Sequence, residues 1–474
     1  MKRGTELTLR IDRLALGGKG IASVNGFVVF VSRGLPGQLV RVRITKKKKN
    51  YAEAEVLKIL ERSPHECEPR CAHQDYCGGC IWQRLKYEKQ IEWKLRHVRE
   101  ALEHIAGITS TTIHDITPSP QQWYYRNKME FTFSAHRWYR PDEIQNTSHT
   151  LTRGCGLGLH VSGTFDRVFN LNECHLESPA AVKILKKVRD FCLISGFSAY
   201  HIRKHTGFWR FLVIREGKRT GERMVYVITT SSGEGRQAVE RLAHYLEQDP
   251  QIGPEITTFV HGINDSKAQV ATAQTREVLW GNGTISEKLG NLIFSISPNS
   301  FFQTNPLGVE KLYDRVLSCA DPSGSEIIWD LYCGTGSITL YLAKHCRRAI
   351  GMEIVEDAVI DAYKNAELNG IDNCSFRTGD IKDLLKEGKL PEPDIVVTDP
   401  PRAGMHPTVV KALLELEPNR IVFVSCNPAT LARDVGMLSE KYEVSNIYPF
   451  DLFPHTPHIE CVALLKRKHS RFMS

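Results

Sequence analysis

"EIIWDLYCGTGSITLYLAKHC", Glu326 to Cys346, is the stretch on which the fold turns. The β-forming run EIIWDL gives way to a glycine turn, YCGTGS, and then to ITLYLAKHC, which reads as a helix. A glycine turn between strand and helix lets a ligand approach the backbone closely and aims the helix N-terminus at it. The spacing is not the G-x-G-x-x-G of dinucleotide sites, and a single G-x-G says little until its neighbours are read.

Those neighbours repeat the same rhythm. RAIGMEI is a second strand that reaches Glu353, the position from which a carboxylate hydrogen-bonds a ribose diol. After the helix EDAVIDAYKNAELNG, a third strand closes in TGD at Asp380, and a fourth, PDIVVTDPPRAG, ends at Asp399. Alternating strands and helices after Pro298 predict an α/β, doubly wound parallel sheet. Successive polar strand ends suit an adenosine cofactor without a pyrophosphate. This progression resembles the Rossmann-like domain of S-adenosylmethionine-dependent methyltransferases. The resemblance implies Tyr332 and Ser337 at the glycine loop, Glu353 on the ribose and Asp380 beside the adenine.

Further out, residues 5 to 60 read as five short strands between glycine turns: ELTLRID, GGKGIA, GFVVFVS, GLPGQLVRVRI and AEAEVLKIL. Such a run suggests a small OB-like barrel, and it resembles the TRAM domain of RNA-modifying enzymes. Residues 1 to 60 hold 13 Lys or Arg against 4 Asp or Glu, leaving 49 against 50 elsewhere, so this segment carries the whole net charge of +8. A basic module on a near-neutral body fits a polyanion, although KKKKN (Lys46 to Asn50) read alone is equally a solvated hairpin loop. From Tyr124 to Ser297 strand-like runs such as FWRFLVIRE and RMVYVITT, with a helix near Ala181 to Phe191, predict an α+β domain on an antiparallel sheet. The expected parts are the barrel over 1–62, a cysteine-rich loop over 63–90, the central domain over 91–297 and the methyltransferase domain over 298–474.

Three more stretches narrow the chemistry: SPNSFFQTN (Ser297 to Asn305), VSCNPATLARD (Val424 to Asp434) and FPHTPHIECVALL (Phe453 to Leu465). With DPPRAG they resemble the RNA uracil-C5 methyltransferases over nearly the whole chain and in the right order. Uracil C5 is too weak a nucleophile to take a methyl group directly; a thiolate adding to C6 converts the ring to an enolate whose C5 can attack. The resemblance implies Cys426 as that nucleophile and Glu460 as the base that removes the C5 proton. It also implies Gln303 on the methionine part of S-adenosylmethionine and Asp399 where cofactor and base meet. A free thiol is only a few per cent ionised at neutral pH, so the site is expected to favour the anion, with Arg402 and His455 as candidate positive groups. Cys333 and Cys461, close to these motifs, are expected to be packing thiols. The target uridine must be unpaired or flipped out, held by stacking and phosphate contacts.

The cysteine-rich loop, CEPRCAHQDYCGGCIWQ, places Cys71, Cys77 and Cys80 at spacings that can converge on one metal centre. The family resemblance implies a distant fourth ligand, Cys174 in LNECHLESP, and a 4Fe-4S cluster; Cys67 and then Cys155 compete for that fourth place. Spacing alone leaves a four-cysteine zinc site open. Nothing in C5 methylation needs an electron, so a structural or RNA-positioning role is expected for the metal.

The remaining composition is ordinary for a multidomain globular chain: 474 residues, 41% hydrophobic, 24% charged, 13 cysteines. With no apolar h-region in MKRGTELTLR and no run able to span a bilayer, a cytoplasmic, monomeric protein is expected. The barrel and the cysteine cluster fit the type that modifies 23S rRNA, because transfer-RNA members typically look shorter. The alternatives are a transfer-RNA enzyme with this longer architecture, and a metal-containing RNA-binding assembly factor without catalysis.

Overall fold

The computed structural model describes residues 2–140, 143–144 and 155–468, and the chain divides into two compact units. The first gathers 1–70, 79–122 and 397–474; the second gathers 71–78 and 123–396.

In the first unit, period-two alternation builds the N-terminal barrel. Leu39–Lys47 buries Val40, Val42 and Ile44 while Arg41 and Arg43 face water, and these apolar side chains meet Leu9, Val29, Val31, Ala52 and Ala54 in one core. The sheet has six strands, one more than expected, because the two-residue strand Arg13–Leu14 pairs with Gly20–Val24. Gly18 closes the turn between them at φ +85°, where a Cβ would strike the Ile81 and Pro457 side chains, so only glycine fits.

The same unit holds the helix Tyr87–Ala101, whose inward stripe is Gln90, Lys94, His97, Val98 and Ala101. It also holds the strand order Arg420–Ser425, Glu460–Arg467, Tyr442–Phe450, Thr112–Ile113. The first of these strands is antiparallel to Glu460–Arg467 with Ser425 opposite Cys461. Pro407–Leu416 and Pro428–Leu438 are its helices, each opening with proline at a first-turn position.

The second unit is built on an eight-stranded sheet ordered Thr275–Trp280, Thr258–Ile263, Arg223–Thr229, Trp209–Glu216, Lys128–Ser134, Gly156–His160, Val168–Asn170, Arg137–Trp138. It is antiparallel apart from two parallel pairs, Arg223–Thr229 with Thr258–Ile263 and Val168–Asn170 with Arg137–Trp138. Trp209–Glu216 and Arg223–Thr229 are buried at every residue, which is why they read as continuous rather than alternating apolar runs. The helix expected near Ala181 spans Pro179–Ile194, capped by the Ser178 side chain.

After the hairpin Ile285–Leu289/Leu292–Ile296 the expected alternation follows. Ile327–Leu331, Arg348–Glu353 and Cys374–Thr378 are parallel neighbours, with Ser337–Ala343 and Glu356–Leu368 as the intervening helices. Ile395–Thr398 then carries the chain from the second unit into the first. Among the described residues no helix is long and apolar enough to cross a membrane.

Candidate functional site

Cys426 follows the strand Arg420–Ser425, and the next residue ends the strand by capping a helix: the Asn427 side chain accepts from the Ala429 N–H at 3.1 Å. The Asn427 amide also donates to the Arg402 carbonyl at 3.1 Å, and Thr430 Oγ1 donates to the same oxygen at 3.3 Å, tying the DPPRAG loop to the cysteine loop. Glu460 opens its strand opposite Phe450, one residue before the Cys461–Ser425 pair. The register therefore delivers Cys426 and Glu460 to the same end of two adjacent strands.

Their electrostatics depart from expectation. Burial pushes the Cys426 thiol up to about 11, with Glu460 and Asp399 adding to the rise and Arg402 opposing it by charge and by a hydrogen bond. The expectation that the site itself favours the thiolate is thus corrected: burial and the carboxyls beside the sulfur outweigh the guanidinium. Glu460 is only 5% exposed, and burial together with Asp399 holds its carboxyl well above the usual range. Of the two candidate positive groups, Arg402 faces the thiol and sits 3.1 Å from His458 Nδ1. His455 does not serve: burial and the Lys94 charge pull its imidazole down to about 4, leaving it neutral, and its ring turns to Gln90. Cys333 and Cys461 are both buried, their thiols pushed up by burial.

The residues expected on the cofactor side, Asp399 apart, lie in the second unit. Tyr332 adopts φ +65° and Gly336 φ +79°; a Cβ on Gly336 would meet the Phe376 ring, so glycine is required there. Glu353 is held rigidly. Its Oε2 accepts from the Gly334 N–H at 3.1 Å, and its Oε1 accepts from the Ile354 and Val355 N–H groups at 2.8 and 2.9 Å. Ser337 Oγ is 2.8 Å from the Tyr313 hydroxyl. Asp380 caps the helix Ile381–Lys386 through Oδ1 and pairs with Lys382 through Oδ2 at 2.8 Å. Gln303 is placed by its backbone, whose carbonyl accepts from Asn127 Nδ2 at 3.0 Å, and the loop before it is held by the buried Arg215, which donates to the Pro298 and Ser300 carbonyls. Asn127 and Arg215 have no signal of their own in the sequence, because each lies in or beside a strand that reads as ordinary sheet.

Of the expected metal ligands, Cys71, Cys77 and Cys174 lie in the second unit and act on one another's charge: Cys77 raises both Cys71 and Cys174, after burial as the main cause. Cys80 belongs to the first unit, in the turn closed by the Gln83 N–H on its carbonyl at 3.1 Å. The two competitors are engaged otherwise. Cys67 Sγ donates to the Gln83 carbonyl at 3.5 Å, and Cys155, partly buried, packs against the core that holds Cys192. A neighbour missed in the sequence is His73, 1% exposed, whose Nδ1 is 3.7 Å from Cys71 Sγ; Cys71, His73 and Glu173 have ligand atoms all within 4.8 Å of one another. The signal was present as C-x-H beside the glycine-rich pair.

Comparison with known proteins follows the same lines. The model of the tRNA (Uracil-5-)-methyltransferase family matches residues 266–384 and 385–468, and that of the TRAM domain matches residues 1–57. An RNA methyltransferase of Nitratidesulfovibrio vulgaris, otherwise uncharacterized, is 42% identical over 98% of this chain and 97% of its own; one from Chlorobaculum tepidum is 40% identical over 94% and 92%. The crystal structure of Pyrococcus abyssi tRNA (uracil-54, C5)-methyltransferase in complex with S-adenosyl-L-homocysteine superposes with a TM-score of 0.75 at 30% identity, covering 97% of this chain and 99% of that one.

Proposed function

The chain belongs to the RNA uracil-C5 methyltransferases, and from that premise we propose that it methylates C5 of a uridine in 23S rRNA through a covalent bond between Cys426 and C6. The observation that carries the reading is the convergence of Cys426, Glu460, Asp399 and Arg402 at neighbouring strand ends, where Asp399 and Arg402 act on the ionisation of both Cys426 and Glu460. An assembly factor without catalysis has no use for a buried carboxyl beside a half-buried thiol.

S-adenosylmethionine supplies a methyl group activated by its sulfonium. Gln303, Tyr332, Ser337, Glu353 and Asp380 are the residues proposed to hold it, and three backbone donors fix the Glu353 carboxylate that would take the ribose. The Cys426 thiol gives up its proton to solvent, the thiolate forms a bond to C6, the electron pair of the C5–C6 double bond moves to the enolate, and C5 takes the methyl group while the sulfonium sulfur departs as a neutral thioether. Glu460 then accepts the C5 proton, the double bond re-forms and the sulfur leaves. A Glu460 carboxyl of raised proton affinity suits the accepting role. It must be ionised when the step arrives, and Arg402 favours that form.

For the cysteines we propose Cys71, Cys77, Cys80 and Cys174 as ligands of a 4Fe-4S cluster that holds the loop together. The nearness of Cys77 to Cys71 and Cys174, each acted on by its charge, supports three of the four; Cys80 enters through the sequence spacing. Iron and inorganic sulfide analysis of anaerobically purified protein, against zinc, decides the metal.

A second substrate reading is transfer RNA. The Pyrococcus enzyme, named for tRNA uracil-54, aligns over 97% of this chain, so overall length does not separate the two classes. The deciding experiment is covalent trapping with 5-fluorouridine-substituted 23S rRNA and tRNA transcripts in the presence of S-adenosylmethionine. A methylated adduct on Cys426 with the ribosomal transcript supports the proposal. An adduct with tRNA alone moves the target, and no adduct with either overturns the covalent mechanism.

A further inference from the structure

The turn that precedes Glu460 is held by a helix that lies outside every chemical motif. Helix Tyr87–Ala101 turns Gln90 and Lys94 inward, both 0% exposed. Gln90 Oε1 accepts from the His455 N–H at 2.7 Å, while its Nε2 donates to the Leu85 carbonyl at 2.7 Å and lies 3.3 Å from His455 Nδ1. The His455 carbonyl in turn accepts from the Trp82 N–H at 3.0 Å. Both backbone polar groups of His455 are therefore committed, and they need to be, because the residue sits at φ +68°, a conformation that only its surroundings can hold.

One turn along the helix, Lys94 Nζ donates to Asp451 Oδ1 at 2.6 Å and to the Phe453 carbonyl at 3.1 Å. Asp451 Oδ1 also accepts from the Phe453 N–H at 3.1 Å. The segment from Asp451 to His458, which ends beside Arg402 and leads into Glu460, is thus fastened to one helix face at two backbone groups, the Phe453 carbonyl and the His455 N–H, and at the Asp451 side chain.

We propose that Gln90 is a positioning residue for proton removal: by fixing the strained His455 backbone it sets where the Glu460 carboxyl stands relative to C5 of the bound uracil. The inference rests on the reading of Glu460 as the base. It makes a specific demand on the kinetics. Bond formation at C6 and methyl transfer do not use Glu460, so loss of Gln90 leaves them running and slows only the release of the methylated intermediate.

The test uses the full-length, metal-loaded protein with unmodified 23S rRNA and tRNA transcripts carrying ordinary uridine, and labelled S-adenosylmethionine. Gln90→Met keeps the side-chain volume and removes every hydrogen bond. Gln90→Glu keeps the acceptor for the His455 N–H and replaces the donor. The expected result is a methyl-labelled protein–RNA band, stable to denaturation, that is strong in Gln90→Met, weaker in Gln90→Glu and absent in the parent. In Gln90→Met kcat falls at least tenfold and, because the steps through methyl transfer are untouched, KM for RNA falls with it, so that kcat/KM stays within about twofold. Glu460→Gln serves as the reference and accumulates the same band.

Should Gln90→Met not fold, Gln90→Leu, which likewise lacks the acceptor for the His455 N–H, takes its place. A folded Gln90→Met or Gln90→Leu without the band, beside a Glu460→Gln that has it, overturns the inference and leaves Gln90 as a stabilising residue only. No band in Glu460→Gln overturns the assignment of the base itself.

Discussion

Lys94 Nζ and Asp451 Oδ1 meet at 2.6 Å with neither side chain exposed, an ion pair sealed inside the first unit. Burial pulls the Lys94 ammonium down and Asp451 opposes that pull, so each charge is tolerated because the other is present. Lys94→Met strands a carboxylate and is expected to cost about 3–5 kcal/mol in denaturant unfolding. Replacing both partners with apolar residues is expected to recover most of that loss. Equal losses in the single and double variants would show that the pair has no such interdependence.

Thiol reactivity reports the electrostatics of the candidate nucleophile. With Cys426 raised to about 11, the thiolate fraction grows tenfold per pH unit through the neutral and mildly alkaline range. Alkylation of the Cys426 peptide by iodoacetamide should therefore climb steadily from pH 7 to pH 10 without levelling. Arg402 lowers this value, so Arg402→Met must raise it and slow alkylation at any fixed pH in that window. A plateau near pH 8 in the parent would contradict the assignment.

Glu353 accepts three backbone hydrogen bonds and has its carboxylate fixed before any ligand arrives. Glu353→Gln preserves the shape and loses the charge, and hydrogen bonds to a charged acceptor contribute about 1.5–3 kcal/mol. Calorimetric affinity for S-adenosylmethionine should fall by about one order of magnitude or more, with RNA binding unchanged.

Cys174 and Cys155 both lie in the second unit, but Cys77 acts on the former and Cys192 neighbours the latter. Cys174→Ser is expected to lose iron and the brown chromophore on anaerobic purification, whereas Cys155→Ser retains both. The reverse outcome would exchange the two ligands.

The hairpin Leu39–Lys47/Tyr51–Glu61 carries Lys47, Lys48 and Lys49 into solvent. If these lysines neutralise phosphates of single-stranded RNA, converting all three to Glu lowers the magnitude of the slope of log K against log salt by about 0.7 for each phosphate no longer neutralised. An unchanged slope would return the lysines to a solvated loop.

The order of residues along the chain carried the part written in local chemistry. The strand–glycine turn–helix at Ile327–Ala343, the polar strand ends at Glu353, Asp380 and Asp399, and the short motifs around Cys426 and Glu460 were all legible, since period, turn residues and spacing are local quantities. Tertiary structure decided what depends on distance between remote residues. It raised Cys426 instead of lowering it, because the thiol is half-buried and carboxyls from two other segments approach it. It separated Arg402 from His455 and turned the latter toward Gln90. It also gave Gln90 and Lys94 an inward place on a helix that reads as charged, because burial and Coulomb energy depend on neighbours in space, which spacing along the chain does not record.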